Sequence, residues 1–212
     1  MIIDHNDVQY KRKRATAGHD KHNGAYYYSR EITKNIIPLI ETDRNWVTVN
    51  VKGQCFDHSI VFIHNNLKPD LYDWLADYKD LVLVCGVPET CDKVKHLGTP
   101  IYLPLSIDVE NVAKFRCEKT KEVAYAGRYV KRLKVPLTDC DFLEGMPRNK
   151  LLSEMAQYKK IYAVGRTAIE AKCLGCEILP YDERYPDPEL WQVLDNKDAA
   201  KILQRELDKI DG

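Results

Sequence analysis

The sequence predicts an α/β protein made of two small parallel-sheet units in tandem, and three observations lead there. Short β-branched or aliphatic runs alternate with longer amphipathic stretches, the pattern of a parallel sheet wrapped by helices. The series stops at a polar stretch after Asp108 and starts again near Glu122. Proline opens and glycine closes the clearest helical stretches, as helix ends require.

Taken in order, "MIID" reads as a first strand, followed by a polar loop from Asn6 to about Gly24. "AYYYSREITKNIIPLI" sets Tyr27, Ile32, Ile36 and Ile40 at helical spacing, and Pro38 helps to stop it. "WVTVNV" and "SIVFIHNN" are strands, "DLYDWLADYK" a helix, and "DLVLVCGV" the fourth strand. "PETCDKVKHLG" is a helix and "PIYLPLSID" a fifth strand. The stretch "VENVAKFRCEKTK" carries no strand pattern, so residues 109–120 read as a linker between domains at 1–108 and 121–212. "EVAYAGR" then begins a second series, with "LKVPL" as a second strand, "GMPRNKLLSEMAQYKK" a helix and "KIYAVG" a strand. "RTAIEAKCLG" is a helix ending at Gly175, "CEILPYD" a last strand, and "DNKDAAKILQRELDKI" a closing helix with Asp195 or Asn196 as cap.

Composition narrows the function classes. The 212 residues are 44% hydrophobic, enough for a real core, and 32 basic side chains balance 32 acidic ones. A neutral chain has no global field that draws it to nucleic acid or membrane, so any such partner must meet a local patch. No apolar run is long enough to span a bilayer, and the N-terminus has its charges after the short apolar run, so the expectation is a cytoplasmic protein without a membrane span. Seven scattered cysteines fit a reducing compartment, and the lone "CLGC" pair, Cys173 and Cys176, is read as packing rather than as zinc or redox chemistry.

Ligands of open parallel sheets sit at the carboxyl ends of strands, which directs attention to three tips. In "AYAGRYVKR", Gly127 permits a tight turn, and Arg128 and Lys131 project from the following loop as a planar fork and a point charge suited to a diphosphate. Solvated basic residues after a turn glycine are the plain alternative. In "IYAVGRTAIEAKCLG", a helix starting near Arg166 aims the amides of Gly165 to Thr167 at an anion. Glu170, one turn further in among small and apolar residues, suits two ribose hydroxyls; a surface glutamate is the alternative. In "VFIHNN", His64 bonds either a sugar or phosphate, or a neighbouring backbone carbonyl. Lys11, Arg12, Lys13 and Arg14, with His19, Lys21 and His22, make a basic loop whose ordinary role is solvation. "DCD" at 139–141 reads as a loop, and no metal site is predicted.

The order "PLSID", "VAYAGRYVKR", "GMPRNKLLSEMAQYK", "GRTAIEAKCLGCEILPYD" resembles the donor-binding half of retaining GT-B glycosyltransferases of the family 4 type. The resemblance is specific from about residue 101 to 182; "HNGAYYYSREI" and "FIHNN" match the first half more loosely. It implies two Rossmann-like domains facing across a cleft in a minimal form, an acceptor-side domain at 1–108 and a nucleotide-sugar domain at 121–212. By position it assigns the donor diphosphate to Arg128, Lys131, Gly127, Gly165 and Thr167, the ribose to Glu170, the close approach of the first loop to Gly24, and a catalytic contact with donor sugar or acceptor to His64. Of the family's E-x7-E pair, with seven residues between the two glutamates, the first is replaced by Tyr162, and the chain is much shorter than ordinary members.

The resemblance implies transfer of a sugar from UDP- or GDP-sugar to an acceptor hydroxyl, with no further cofactor. Alternatives are a catalytically silent nucleotide-binding protein of the same fold, and DNA as the acceptor, tracked by Lys11 to Arg14 as in viral enzymes that decorate modified bases, which suggests a phage protein. The sequence does not define the oligomeric state.

Overall fold

A computed structural model describes residues 1–3, 24–48, 53–64, 69–127, 139–181 and 187–212. The chain is α/β and forms two compact units, Met1–Pro104 with Asn196–Gly212, and Leu105–Asp195. Each has its own small, wholly parallel sheet. The basic residues Lys11 to Arg14, His19 and His22 lie outside the described residues, as do Arg128, Lys131 and the "LKVPL" run.

The first sheet has five strands in chain order: β1 (Ile2–Ile3), β2 (Asn45–Val47), β3 (Ser59–Ile63), β4 (Leu81–Cys85) and β5 (Thr99–Tyr102). Every residue of β3 and β4 is buried, the mark of central parallel strands covered on both faces. Their side chains divide with the two-residue period of a strand. Val61, Ile63, Leu81, Leu83 and Cys85 join Tyr72 and Leu75, from the 3-10 segment Pro69–Asp77, and Val94, from α2 (Pro88–Val94), in one core. Trp46 and Phe62, offset by one from Val47 and Val61 along their strands, stack with ring centroids 6.2 Å apart.

Between β1 and β2, α1 (Gly24–Glu31) passes into a π-helical turn at Ile32–Ile36 and a 3-10 turn at Ile37–Leu39. Two residues explain the irregularity. The Thr33 hydroxyl donates to the Ser29 carbonyl four residues back, at 2.9 Å, and such back-bonding disturbs helices. Pro38 has no N–H with which to continue the ladder. Ile32 and Ile36 are nevertheless fully buried.

The closing helix, read in the sequence as part of the second domain, belongs to the first unit. It is α6 (Asn196–Asp211), the next-to-last residue of the chain being its end. Asn196, Ala199, Ala200, Leu203 and Leu207 form one buried stripe at helical spacing, and the helix packs along the Ile32–Leu39 segment. Asn196 donates to Glu31 at 2.9 Å, Gln204 exchanges bonds with the Glu41 backbone at 2.7 and 3.1 Å, and Asp211 pairs with Arg44.

The second unit opens at Leu105 and takes in the whole stretch read as a linker, where α3 (Val109–Ala113) is capped by the Asp108 carboxylate accepting from the Asn111 amide at 2.9 Å. Its sheet contains β6 (Lys121–Tyr125), β7 (Asp141–Phe142), β8 (Tyr158–Tyr162) and β9 (Glu177–Leu179), in the spatial order β7-β6-β8-β9. Helices α4 (Arg148–Met155) and α5 (Arg166–Cys173) precede and follow β8. β7 includes Asp141 of "DCD", whose carboxylate accepts from the Tyr158 hydroxyl at 2.7 Å, so this residue is a strand residue rather than loop. Among the described residues no helix is long and apolar enough to cross a membrane.

Candidate functional site

Strand order singles out one place in the second unit. From β6 the chain moves to β7 on one side, then returns to β8 on the other, so the order reverses between β6 and β8. In open α/β sheets that reversal parts the connections above the strand ends and leaves a crevice for ligand at their carboxyl ends. Among its described strands the first sheet has no such reversal, since its order follows the chain.

Gly127 ends β6. A Cβ on it would stand 2.4 Å from the Tyr125 hydroxyl oxygen and 2.7 Å from the ring carbon bearing it, and Tyr125 is fully buried. Its need for glycine is a close approach to a ring that has little room to move. Across the β6–β8 gap, Tyr125 is the register partner of Tyr162, the last residue of β8, and on its other side of Phe142. Tyr125 also meets Tyr181 edge-on, with centroids 5.4 Å apart. The four rings line the carboxyl end of this sheet, and half-buried Tyr162 stands where the resemblance expects a glutamate.

Gly165 carries the chain from β8 into α5. Its φ of 63° and ψ of −141° lie in a region that only glycine enters cheaply, while a Cβ would make only an ordinary contact, 3.9 Å from Leu105 Cδ1. The constraint is therefore conformational, unlike that at Gly127. The Gly165 carbonyl accepts from the amides of Ala168 (3.0 Å) and Ile169 (3.2 Å), so Arg166 and half-buried Thr167 supply the first amides of the helix at its positive end.

Glu170 is buried, its side chain 5% exposed, and carries a role that the sequence reading did not include. Its Oε1 accepts from Arg166 Nε at 2.7 Å and pairs with Arg148 Nη1 at 2.6 Å. Arg166 lies one turn before it on α5, and Arg148 is the first residue of α4. One carboxylate thus fixes two guanidinium groups beside the amino end of α5. Oε2 is left as the remaining acceptor of that carboxylate among the described residues. Such a grouping can orient cations toward an anion and offer an acceptor to a hydroxyl. Arg148 and Arg166 were not singled out from the sequence. The four-residue spacing of Arg166 and Glu170 is a readable sign of a helical ion pair; the 22-residue spacing of Arg148 and Glu170 gives no such sign.

His64 belongs to the first unit, just past β3. Its Nε2 donates to the Thr48 carbonyl at 2.5 Å, and its ring meets Tyr28 edge-on at 5.9 Å. The backbone-carbonyl alternative is therefore what the described geometry contains. That bond puts a hydrogen on Nε2. Nearby, the Thr48 and Ser29 hydroxyls bond each other at 2.9 Å in a buried contact. Gly24 is the first residue of α1.

The "CLGC" cysteines are both buried, at the end of α5 and before β9. Burial pushes both thiols above their usual range. Lys119 spans this corner, donating to the carbonyls of Ala156 (2.8 Å) and Leu174 (2.9 Å) and to Cys176 Sγ (3.2 Å), and so closes the ends of α4 and α5. Among the described residues no three histidine, cysteine or acidic side chains group closely enough to hold a metal ion.

No protein family, curated protein or solved structure matches the chain.

Proposed function

We propose that the chain binds a nucleoside diphosphate sugar at the β6–β8 reversal and transfers the sugar to an acceptor hydroxyl with retention, as a minimal glycosyltransferase resembling the GT-B family. One observation carries the reading: the crevice position of the second sheet is flanked by two glycines with different physical reasons to be glycine, and beside it one buried glutamate orients two arginines at a helix amino end.

In this reading the diphosphate meets the first amides of α5, Arg148 and Arg166, together with Arg128 and Lys131, which follow Gly127 in the sequence. Glu170 takes a ribose hydroxyl on Oε2. During transfer the bond from the anomeric carbon to the diphosphate oxygen breaks and a bond to the acceptor oxygen forms, with loss of the acceptor's proton. Negative charge grows on the departing diphosphate, where fixed cations and amides lower the barrier most.

Calorimetric titration of UDP, GDP and ADP tests the reading, followed by a donor-hydrolysis screen with the corresponding nucleotide sugars. At least one nucleotide is expected to bind at millimolar concentration or below, and Arg148→Ala to weaken it about tenfold, the loss of about 1.4 kcal/mol. Absence of any binding heat at millimolar nucleotide would end the reading. Tyr162 in place of the sugar-binding glutamate favours a second one, a nucleotide-binding protein without turnover. Tight binding with no consumption of any nucleotide sugar distinguishes it.

A further inference from the structure

We propose that His58 is a proton-controlled latch on the last turn of α6, acting through Asp80 and Arg44. The site lies in the first unit at the amino ends of its strands and shares no residue with the candidate site of the second unit. His58 immediately precedes β3, Asp80 immediately precedes β4 and Arg44 immediately precedes β2. Three segments that start neighbouring strands therefore meet in one charged network.

Its links are short. His58 Nδ1 meets Asp80 Oδ2 at 2.5 Å and His58 Nε2 meets Asp43 Oδ1 at 3.0 Å. Asp80 also accepts from Arg44 Nη1, through Oδ1 at 3.0 Å and through its carbonyl at 3.1 Å. The rest of the Arg44 fork is on α6, with Nε at 3.0 Å and Nη2 at 2.5 Å from Asp211 Oδ1. Arg44 is buried while its partners are exposed, so its orientation is set by the carboxylates that hold it. The backbone pins the arrangement: the His58 amide donates to the Lys79 carbonyl and the Asn45 amide to the His58 carbonyl, both at 2.9 Å. His58 and Asp80 each adopt a left-handed φ, 55° and 52°, which non-glycine residues seldom hold without compensating contacts.

The charges around His58 are Asp43 and Arg44 on the segment before β2, Asp57 beside it, Lys79 and Asp80 before β4, and Asp211 on α6. Asp57 is occupied with the Lys79 amide at 2.8 Å, and the terminal amine of Met1 bonds Asn45 at 3.1 Å. A doubly protonated ring donates to Asp43 and Asp80 at once. A neutral ring has one N–H and satisfies only one of them. With the ring charged, two cations serve Asp43, Asp80 and Asp211; with it neutral, Arg44 alone serves three carboxylates, and Asp80 competes with Asp211 for its fork.

The sign follows from the directions of shift. The hydrogen bonds it donates to Asp80, then to Asp43, raise the His58 pKa above its ordinary 6.5, so the latch is closed below that value and opens as pH rises through the raised one. The bond to His58 lowers both Asp43 and Asp80, so these carboxylates stay ionised below their usual range and the latch opens again only in stronger acid.

Amide hydrogen exchange of the full chain tests this, read at Lys209, Ile210 and Asp211 between about pH 5.5 and about pH 8.5, where histidines titrate. Dividing the wild-type rates by those of His58→Asn removes the intrinsic effect of hydroxide, and asparagine tolerates the left-handed backbone. Wild-type protection is expected to exceed the variant's several-fold at the acid end and to converge with it at the alkaline end. Asp211→Asn should keep the His58 titration, read from its ring proton resonances, yet lose the response of the last turn. A ratio that stays flat with pH, or a last turn that still follows pH in Asp211→Asn, overturns the proposal. If His58→Asn does not fold, the Asp211→Asn comparison decides alone.

Discussion

At the scale of single residues, Glu170 is the position whose chemistry is most constrained. Two guanidinium groups converge on one of its oxygens, and both Glu170 and Arg166 are almost wholly withdrawn from solvent. Removing one partner of a buried pair leaves an uncompensated charge, which costs more than the pair itself contributes. Glu170→Ala is therefore expected to destabilise the second unit by about 3 kcal/mol or more, measured by urea denaturation. Glu170→Gln, which keeps an acceptor oxygen, should cost less. Equal stability of the alanine variant and the wild type would show that solvent reaches both arginines freely.

At the scale of elements, long apolar runs were legible and side-chain convergence was not. β3 and β4 read directly from "SIVFI" and "LVLVC", because strands covered on both faces are apolar at every position. β7 was illegible, being two exposed residues defined by pairing with β6 rather than by pattern. The irregular end of α1 shows as one helix in the hydrophobic spacing, since Ile32 and Ile36 are buried whether the turn is α or π. The start of α5 was read correctly from its glycine, but the ion pair beside it combines residues from two helices. A helix that begins through a left-handed glycine is sensitive to any Cβ there. Gly165→Ala is expected to cost about 1–3 kcal/mol, seen as a lower denaturation midpoint at unchanged slope. No loss would mean that the turn relaxes into another conformation.

At the scale of the whole molecule, the chain leaves its first unit at Pro104 and rejoins it at Asn196. Alternation of strands and helices revealed two sheets and the restart after Asp108, because these are local signals. It did not reveal which unit owns the last helix, since the stripe of Ala199, Leu203 and Leu207 states that a core exists and not whose core it is. Ending the chain at Asp195 removes that stripe and the Asp211 partner of Arg44. Amide protection in β3 and β4 is expected to collapse in the shortened protein, while β6 and β8 keep theirs. Undiminished protection in β3 and β4 would show that the first sheet holds without α6.

The interrupted path also sets an order of events on the ribosome. Synthesis runs from the amino end, and segments fold as they become complete. The inner stretch Leu105–Asp195 is contiguous and is fully made before Asn196 leaves the peptidyl-transfer centre, whereas the strands β1 to β5 must wait for α6. The first sheet therefore completes its core only after the whole of the second unit has been synthesised.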